Sequence, residues 1–174
     1  RRCHGNGNPR IQALLRAGAK LRVYSLTRGE FYEQRLAELG LPPRWIGRVP
    51  HPPARLAVFL REALAFRPHL LQSSHCYANL YVALAGRLLG VCSVGAFRSD
   101  LTEWRSGSGA WARWQLGLPS GVIVNSQSSG AKIIQDHLAA PERVFMVPNR
   151  IDLRRFDADG SLGCASAHPG VRRP

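Results

Sequence analysis

The sequence has few residues of several informative kinds. It contains no apolar run of the roughly 18 residues that a membrane-spanning helix needs, and its first residues, RRCHGNG, lack the apolar stretch of a signal peptide. Its four cysteines fall at spacings typical of neither a zinc ribbon nor a Cys-x-x-Cys redox pair. We therefore expect a cytoplasmic protein with reduced thiols and no metal site.

Acidic residues are also scarce. The chain has 11 Asp and Glu residues and 24 Lys and Arg residues, which gives a net charge of +13. Only Lys20 and Lys132 are lysines. Such an excess points to nucleic acid, an anionic membrane or a phosphorylated ligand. Because no basic motif interleaved with aromatic residues is present, a solvated basic surface is favoured over a nucleic-acid groove. A peripheral contact with the inner face of the membrane is compatible with the charge.

The remaining composition is that of one globular core. The 174 residues are 45% hydrophobic and 20% charged, as in ordinary soluble domains. Short β-rich runs alternate with segments of helical periodicity. The runs are 21–26, 44–49, 69–74, 91–97, 122–126 and 144–147. This alternation predicts an α/β fold with a Rossmann-like, mostly parallel sheet and helices on both faces.

Helix boundaries are readable at several points. Pro52 is predicted to begin one helix. A second, at 77–89, is apolar on nearly every side, which predicts deep packing, and Gly90 is expected to end it. Ser126 is predicted to cap a helix over 127–138.

Both ends of the pattern are unusual. The Gly-rich loop at 5–9 leads directly into a helix and no β-rich run precedes it, so we expect that a first strand is missing. Residues 158–174 (ADGSLGCASAHPGVRRP) have no periodicity and are rich in Gly, Ala, Ser and Pro, which predicts a disordered or aberrant tail.

Several segments, taken in order, carry a family resemblance. They are GNGNPRIQALLRAGA followed by LRVYSL, then FYEQRLAELGL, RPHLLQSSHCYANLYVALAGRLLGV, the triplet Arg98-Ser99-Asp100, the strand VIVNS and the crossover VPNRIDLRRFD. Together they resemble the N-terminal, acceptor-side domain of a family 4 glycosyltransferase of the GT-B fold, over residues 5–157.

The resemblance implies a function and its partners. Two Rossmann-like domains face each other in that family. The first binds a carbohydrate or lipid-linked acceptor, and the second binds the nucleotide-sugar whose hexose is transferred with retention. It implies no cofactor besides this donor substrate. Because the second domain is absent from these residues, we expect a fragment that is inactive alone.

His75 is the candidate catalytic residue. It follows the run 69–74, so it should stand at the carboxyl edge of the sheet, where ligands bind in open α/β folds. An imidazole can donate or accept a proton near neutral pH, and the resemblance implies that this one lines the cleft near the transferred sugar. The alternative is an ordinary loop histidine. A nucleophilic pair with Cys76 is not expected, because adjacent residues rarely face each other.

Candidate substrate-binding residues follow the next two strands. Arg98 could clamp a phosphate or carboxylate, and Asp100, beside Ser99, could accept a hydrogen bond from a sugar hydroxyl. An Arg/Asp pair that braces the loop is equally compatible with the sequence. Asn125 ends a strand before a helix, so capping and a cleft contact both remain open.

The remaining candidates come from the resemblance. Gly5 and Gly7 resemble a glycine loop whose backbone can approach a donor phosphate, although a flexible turn before a helix explains them as well. Asn149 belongs to the crossover, in which Arg150 replaces the glycine usual in the family.

Three tryptophans, Trp104, Trp111 and Trp114, follow in a loop of acceptor-cleft character and in the segment after it. They could stack on a sugar or pack the next helix. We expect packing for at least two of them.

Two functional hypotheses follow from these observations. The first is the acceptor-binding half of a retaining glycosyltransferase. The second is a non-catalytic α/β module that binds an anionic membrane or nucleic acid through its basic surface.

Overall fold

A computed structural model describes residues 9–99, 101, 104 and 111–148. The helices are α1 (Pro9–Arg16), α2 (Phe31–Glu38), α3 (Pro52–Phe66), α4 (Asn79–Leu89), α5 (Trp111–Gly117) and α6 (Gln127–Gln135). The strands are β1 (Tyr24–Ser25), β2 (Arg44–Trp45), β3 (Leu70–Gln72), β4 (Cys92–Phe97), β5 (Gly121–Val124) and β6 (Val144–Met146). Short 3-10 turns at Cys76–Ala78 and Pro141–Arg143 precede α4 and β6.

The strands form parallel sheets, which confirms the predicted α/β class. Each of the six predicted runs overlaps one observed strand. β1 pairs with β2, and the larger sheet has the order β3-β4-β5-β6, with every pairing parallel. The described strands therefore make two hydrogen-bonded sheets, whereas the sequence predicted one.

Two apolar clusters form the core. One lies around β4 and β5 and includes Phe97, Leu116, Val122, Val124 and Ile133. The other joins β2, α3, β3 and α4 through Ile46, Phe59, Ala63, Leu71 and Val82. Because the second cluster contains residues next to both sheets, β1–β2 and β3–β6 share one core even though they are not hydrogen-bonded to each other.

Helix α4 packs closely on β4 along one side only. A Cβ on Gly86 would lie 2.7 Å from the Cβ of Ser93, so glycine permits this approach. Gly90 ends the helix in the left-handed region, with φ +67°. The expected burial on all sides is wrong, because Leu88 is 68% exposed. An apolar composition does not determine which face of a helix is buried. The neighbouring elements cover only the face that carries Val82, Ala85 and Gly86.

The tryptophans also differ from expectation. Trp104 packs edge-on against Phe97, with ring centroids 5.1 Å apart. Trp111 and Trp114 lie three residues apart on α5 and are 66% and 55% exposed. Their spacing places them on the outer side of a helix whose buried residues are Ala112 and Leu116. Packing is therefore observed for one tryptophan of the three.

Ser126 caps α6 as predicted, although the helix ends at Gln135. The Ser126 Oγ accepts a hydrogen bond from the Ser129 amide at 3.1 Å. We expect Ser126→Ala to lower the free energy of unfolding by about 1 kcal/mol, measured by urea denaturation. The neighbouring exposed Gln127→Ala is the control and should change stability by less than about 0.5 kcal/mol. Equal effects of both substitutions would show that the cap contributes nothing.

No helix in the described part of the chain is long and apolar enough to cross a membrane.

Candidate functional site

The loop that carries His75 is held by a buried hydrogen-bond network. Asn79, at the start of α4, is fully buried, and its Oδ1 accepts from the Ser73 hydroxyl and from the Ala96 amide, the latter at 2.9 Å. The Asn79 Nδ2 donates to the Ala96 carbonyl at 3.2 Å. This side chain therefore ties the end of β3, the loop and β4 together. Buried amides need such partners because an unpaired polar group costs about 1–3 kcal/mol.

His75 itself is exposed at the carboxyl end of β3. Its ring stacks on Tyr77, with centroids 4.3 Å apart and planes inclined by 29°. The backbone of His75 is extended, so the residue stands between the strand and the 3-10 turn at Cys76–Ala78. The structure thus supplies the strand-end position predicted from the sequence, with a neighbouring aromatic ring that orients the imidazole.

Cys76 lies closer to His75 than adjacent residues were expected to be. The Cys76 Sγ is 3.4 Å from the His75 Nδ1, so the geometric argument against a pair is wrong. The chemistry nevertheless opposes a nucleophile, because burial raises the pKa of the Cys76 thiol, an effect that nearby hydrogen bonds reduce. A thiol with a raised pKa is largely protonated near neutral pH and is a poor nucleophile.

Alkylation tests this reading of Cys76. At about pH 7.5, iodoacetamide should modify the native Cys76 at least about tenfold more slowly than the exposed Cys92, and the rate should rise with pH as the thiolate forms. Peptide mapping by mass spectrometry reports each cysteine separately, and the difference should disappear in urea. Equal native rates would instead mean that His75 activates the thiol.

A cavity of about 360 Å³ lies beside His75. One side is formed by residues 23–27 at β1 and by residues of α2, and the other by residues 74–78 that follow β3. The polar side chains that line it are Tyr24, Ser25, Thr27, Glu30, Tyr32, Glu33, Ser74, His75 and Tyr77. Among the described residues, the Asp, Glu, Lys and Arg side chains that line it are Glu30 and Glu33, although the whole chain is strongly basic.

Local hydrogen bonds position part of this lining. The Glu33 Oε2 accepts from the Gly29 amide at 2.8 Å, which holds the carboxylate at the turn before α2. The Tyr24 ring packs edge-on against Phe59, with centroids 5.1 Å apart. Burial raises the pKa of Tyr24, and the nearby Arg22 offsets part of this rise. The Ser25 Oγ is buried without a hydrogen-bond partner among the described residues.

The other predicted residues are distributed along the same edge. Arg98 is exposed and Ser99 half-buried directly after β4, and Asn125 is half-buried directly after β5. Adjacent parallel strands therefore bring His75, Arg98 and Asn125 to one edge of the sheet. Only His75 among them lines the cavity described above.

Four of the predicted residues, Gly5, Gly7, Asp100 and Asn149, lie outside the described residues.

Sequence reasoning missed the opposite wall of the cavity. Thr27, Glu30 and Glu33 lie between β1 and the first turns of α2. The available signal was their position just after the predicted run 21–26, the same strand-end rule that selected His75.

Comparison with known proteins agrees with this architecture. The sequence model of the protein family Glycosyltransferase Family 4 matches residues 11–155. This range includes every described strand and the whole candidate cavity. The chain belongs to glycosyltransferase family 4. No curated protein matches the chain. Membership in glycosyltransferase family 4 supports a glycosyltransferase-type role, and the carboxyl edge of the parallel sheet is where an α/β domain of this kind presents its ligand site.

The described residues of this family 4 domain contain no group of three or more His, Cys, Asp or Glu side chains that could hold a metal ion.

Proposed function

We propose that this domain is the acceptor-binding half of a retaining glycosyltransferase. The observation that supports the proposal best is the cavity in which His75 and Tyr77 face Thr27, Glu30 and Glu33. Hydroxyl and carboxylate groups can hydrogen-bond to sugar hydroxyls, and an aromatic ring offers an apolar face for stacking. A polyhydroxylated acceptor, either a carbohydrate or the sugar of a lipid-linked carrier, fits this lining.

Sugar transfer requires a donor substrate in addition to the acceptor. In this proposal a hexose arrives on a nucleotide-sugar held by a second domain, and the two domains enclose donor and acceptor in one cleft. Arg98 and Asn125 stand on the same edge as His75, where they can face the donor. Arg98 is suited to a phosphate oxygen because a guanidinium donates several hydrogen bonds in a planar arrangement. On its own, the chain should bind acceptor without transferring sugar.

The alternative, an anionic membrane or nucleic acid as partner, is less well supported at this site. The charged groups that line the cavity are Glu30 and Glu33, and carboxylates repel a phosphate backbone or headgroup. Among the described residues, no lysine or arginine lines the cavity.

A titration of the isotope-labelled chain distinguishes these functions. Maltose, as a neutral probe, should shift the amide resonances of Thr27, Glu33 and Tyr77, with a dissociation constant on the order of 1 mM. Vesicles that contain about 30% phosphatidylglycerol, and a single-stranded oligonucleotide, serve as anionic probes. Salt-sensitive responses to the anionic probes without any response to neutral sugars would overturn the proposal in favour of the binding module.

The lining supplies a matched pair of variants for the same titration. Glu33→Gln removes the charge while it keeps an oxygen that can accept from Gly29, and it should weaken maltose binding about threefold to tenfold. Glu38→Gln, on the same helix but outside the cavity lining, should leave it unchanged. If both variants bind equally well, the carboxylate of Glu33 does not contact the sugar.

A further inference from the structure

The contact between Cys76 and His75 allows two arrangements of its proton. The Cys76 Sγ lies 3.4 Å from the His75 Nδ1, a distance compatible with a hydrogen bond to sulfur. Either the thiol donates to Nδ1, or the Nδ1–H donates to the sulfur. A neutral imidazole carries one proton, so the other nitrogen, Nε2, is a donor in the first arrangement and an acceptor in the second. The direction of this hydrogen bond therefore determines what His75 can do chemically.

The surroundings of the sulfur favour the first arrangement. Burial raises the pKa of the Cys76 thiol, and hydrogen bonds to its sulfur from the backbone amides of Tyr77 and Cys76 and from the Trp104 indole lower the pKa only in part. A thiol with a raised pKa keeps its proton near neutral pH. Indole and amide N–H groups are donors, and sulfur is a weak acceptor. These groups therefore supply the sulfur with donors, and the proton of the thiol needs an acceptor elsewhere.

The acceptor within reach is the His75 ring. Cys76 is 4% exposed and belongs to the apolar cluster that contains Phe97 and Leu116. Among the described residues, the acceptor at hydrogen-bonding distance from its Sγ is the His75 Nδ1. A buried donor that points at this nitrogen is paired, whereas the same donor pointed into the cluster is not. The thiol proton is thus placed between Sγ and Nδ1.

The imidazole is held in this orientation from a second side. Its ring stacks on Tyr77, with centroids 4.3 Å apart. The His75 carbonyl accepts from the Ala78 amide at 3.0 Å, which fixes the backbone of the 3-10 turn that carries both Cys76 and Tyr77. With one ring face on Tyr77 and Nδ1 on the thiol, Nε2 is the ring nitrogen left for a ligand in the cavity that His75 lines.

We propose that Cys76 is a positioning residue for His75, because its thiol donates to Nδ1 and keeps the proton of the neutral imidazole on Nε2. His75 then meets a ligand in the cavity as a hydrogen-bond donor. Such a donor fits a sugar oxygen or a developing negative charge, and it does not fit the role of a proton acceptor. The use of this donor on a sugar rests on the proposed function, whereas the place of the proton can be measured without any sugar.

Nuclear magnetic resonance of the histidine rings tests the place of the proton. The isotope-labelled chain is measured at about pH 8.5, where an ordinary imidazole is neutral, by correlating the ring nitrogens with the carbon-bound ring protons. The His75 Nε2 should have the chemical shift of a protonated nitrogen, and Nδ1 that of an unprotonated one. The separation between the two shifts should exceed that of the exposed His69, whose ring is the internal reference. The reverse pattern, or equal separations for the two histidines, would overturn the proposal.

Substitutions of Cys76 show whether the thiol is the cause. Cys76→Ala removes the donor, so the separation for His75 should shrink to that of His69. Cys76→Ser keeps a hydroxyl donor and should retain most of the native separation. Cys92→Ala, at an exposed cysteine of β4, is the matched control and should change nothing. A native separation in Cys76→Ala would show that the thiol does not fix the proton. If Cys76→Ala does not fold, the native chain and Cys76→Ser decide by the same comparison with His69.

Transfer rates separate this inference from the proposed function. With the chain fused to the nucleotide-sugar domain of a family 4 glycosyltransferase, Cys76→Ala should lower kcat about threefold to tenfold, and Cys76→Ser should stay within about twofold of the parent. An inactive parent fusion would count against the proposed function, and the ring measurement would still decide the place of the proton. An altered ring signature with an unchanged kcat in an active fusion would overturn the positioning role of Cys76.

Discussion

Replacing Asn79 with alanine should lower the free energy of unfolding by about 3 kcal/mol. Asn79 is fully buried and makes hydrogen bonds to the Ser73 hydroxyl and to both backbone groups of Ala96. Alanine would leave these three groups buried without partners and would open a small cavity between α4 and β4. For a chain of this size the loss corresponds to a fall in Tm of about 10 °C, measured by circular dichroism.

A surface substitution provides the comparison for Asn79. Gln34 is exposed and makes one long side-chain contact, 3.4 Å to the Glu38 carboxylate. Gln34→Ala should therefore change the free energy of unfolding by less than about 0.5 kcal/mol. If Asn79→Ala were as mild as Gln34→Ala, water would be satisfying the buried groups, and the network could not be what holds the His75 loop.

Replacing His75 with alanine should lower sugar transfer about 100-fold when the chain works with a donor domain. This expectation rests on the proposed function and on the place of His75, at the carboxyl end of β3, stacked on Tyr77 and beside the cavity. The measurement uses a fusion of residues 1–157 to the nucleotide-sugar domain of a family 4 glycosyltransferase. The fall should appear in kcat, with the KM for the donor within about twofold, because the donor is held by the other domain.

The opposite end of the same strand offers a matched control. His69 is exposed just before β3, at the amino end, where the proposed site does not extend. His69→Ala should leave kcat within about twofold of the parent. Equal rates for the two variants would mean that His75 is an ordinary loop histidine and that other residues of this edge carry out catalysis.

Local sequence signals predicted the elements of this fold well. The β-rich runs located the six strands of the described residues, because short apolar runs bounded by turn residues leave few alternatives. Ser126 marked the start of α6, because an N-cap hydroxyl satisfies an amide of the first turn. These features depend on neighbours within a few residues, so they can be read without knowledge of the fold.

Side-chain burial was less predictable. Leu88 and the exposed tryptophans Trp111 and Trp114 are apolar residues on helices, and their sequence does not say which face another element covers. Asn79 shows the opposite, because this polar residue in an apolar segment is one of the most buried side chains. Its partners are Ser73, directly after β3, and Ala96 on β4, so the amide has a role only after these two strands pair.

In the candidate site, too, some features could be predicted from the sequence and others depend on tertiary contacts. The rule that ligands bind at the carboxyl ends of parallel strands selected His75, Arg98 and Asn125, and strand pairing places them on one edge. It did not show that Thr27, Glu30 and Glu33 would face His75 across a cavity. Nor did it show that the Cys76 thiol, 3.4 Å from the His75 ring, would be buried with a raised pKa.

By itself, the sequence determined the alternation of strands and helices, the helix cap at Ser126 and the family to which the chain belongs, because these depend on residue types and their order. Tertiary structure alone decided the Asn79 network, the acidic lining of the cavity and the strand order β3-β4-β5-β6. Each of these joins residues that are distant in the chain. Contacts of that kind depend on the order of the parallel strands and on how helices cross between them. Local propensity does not determine either.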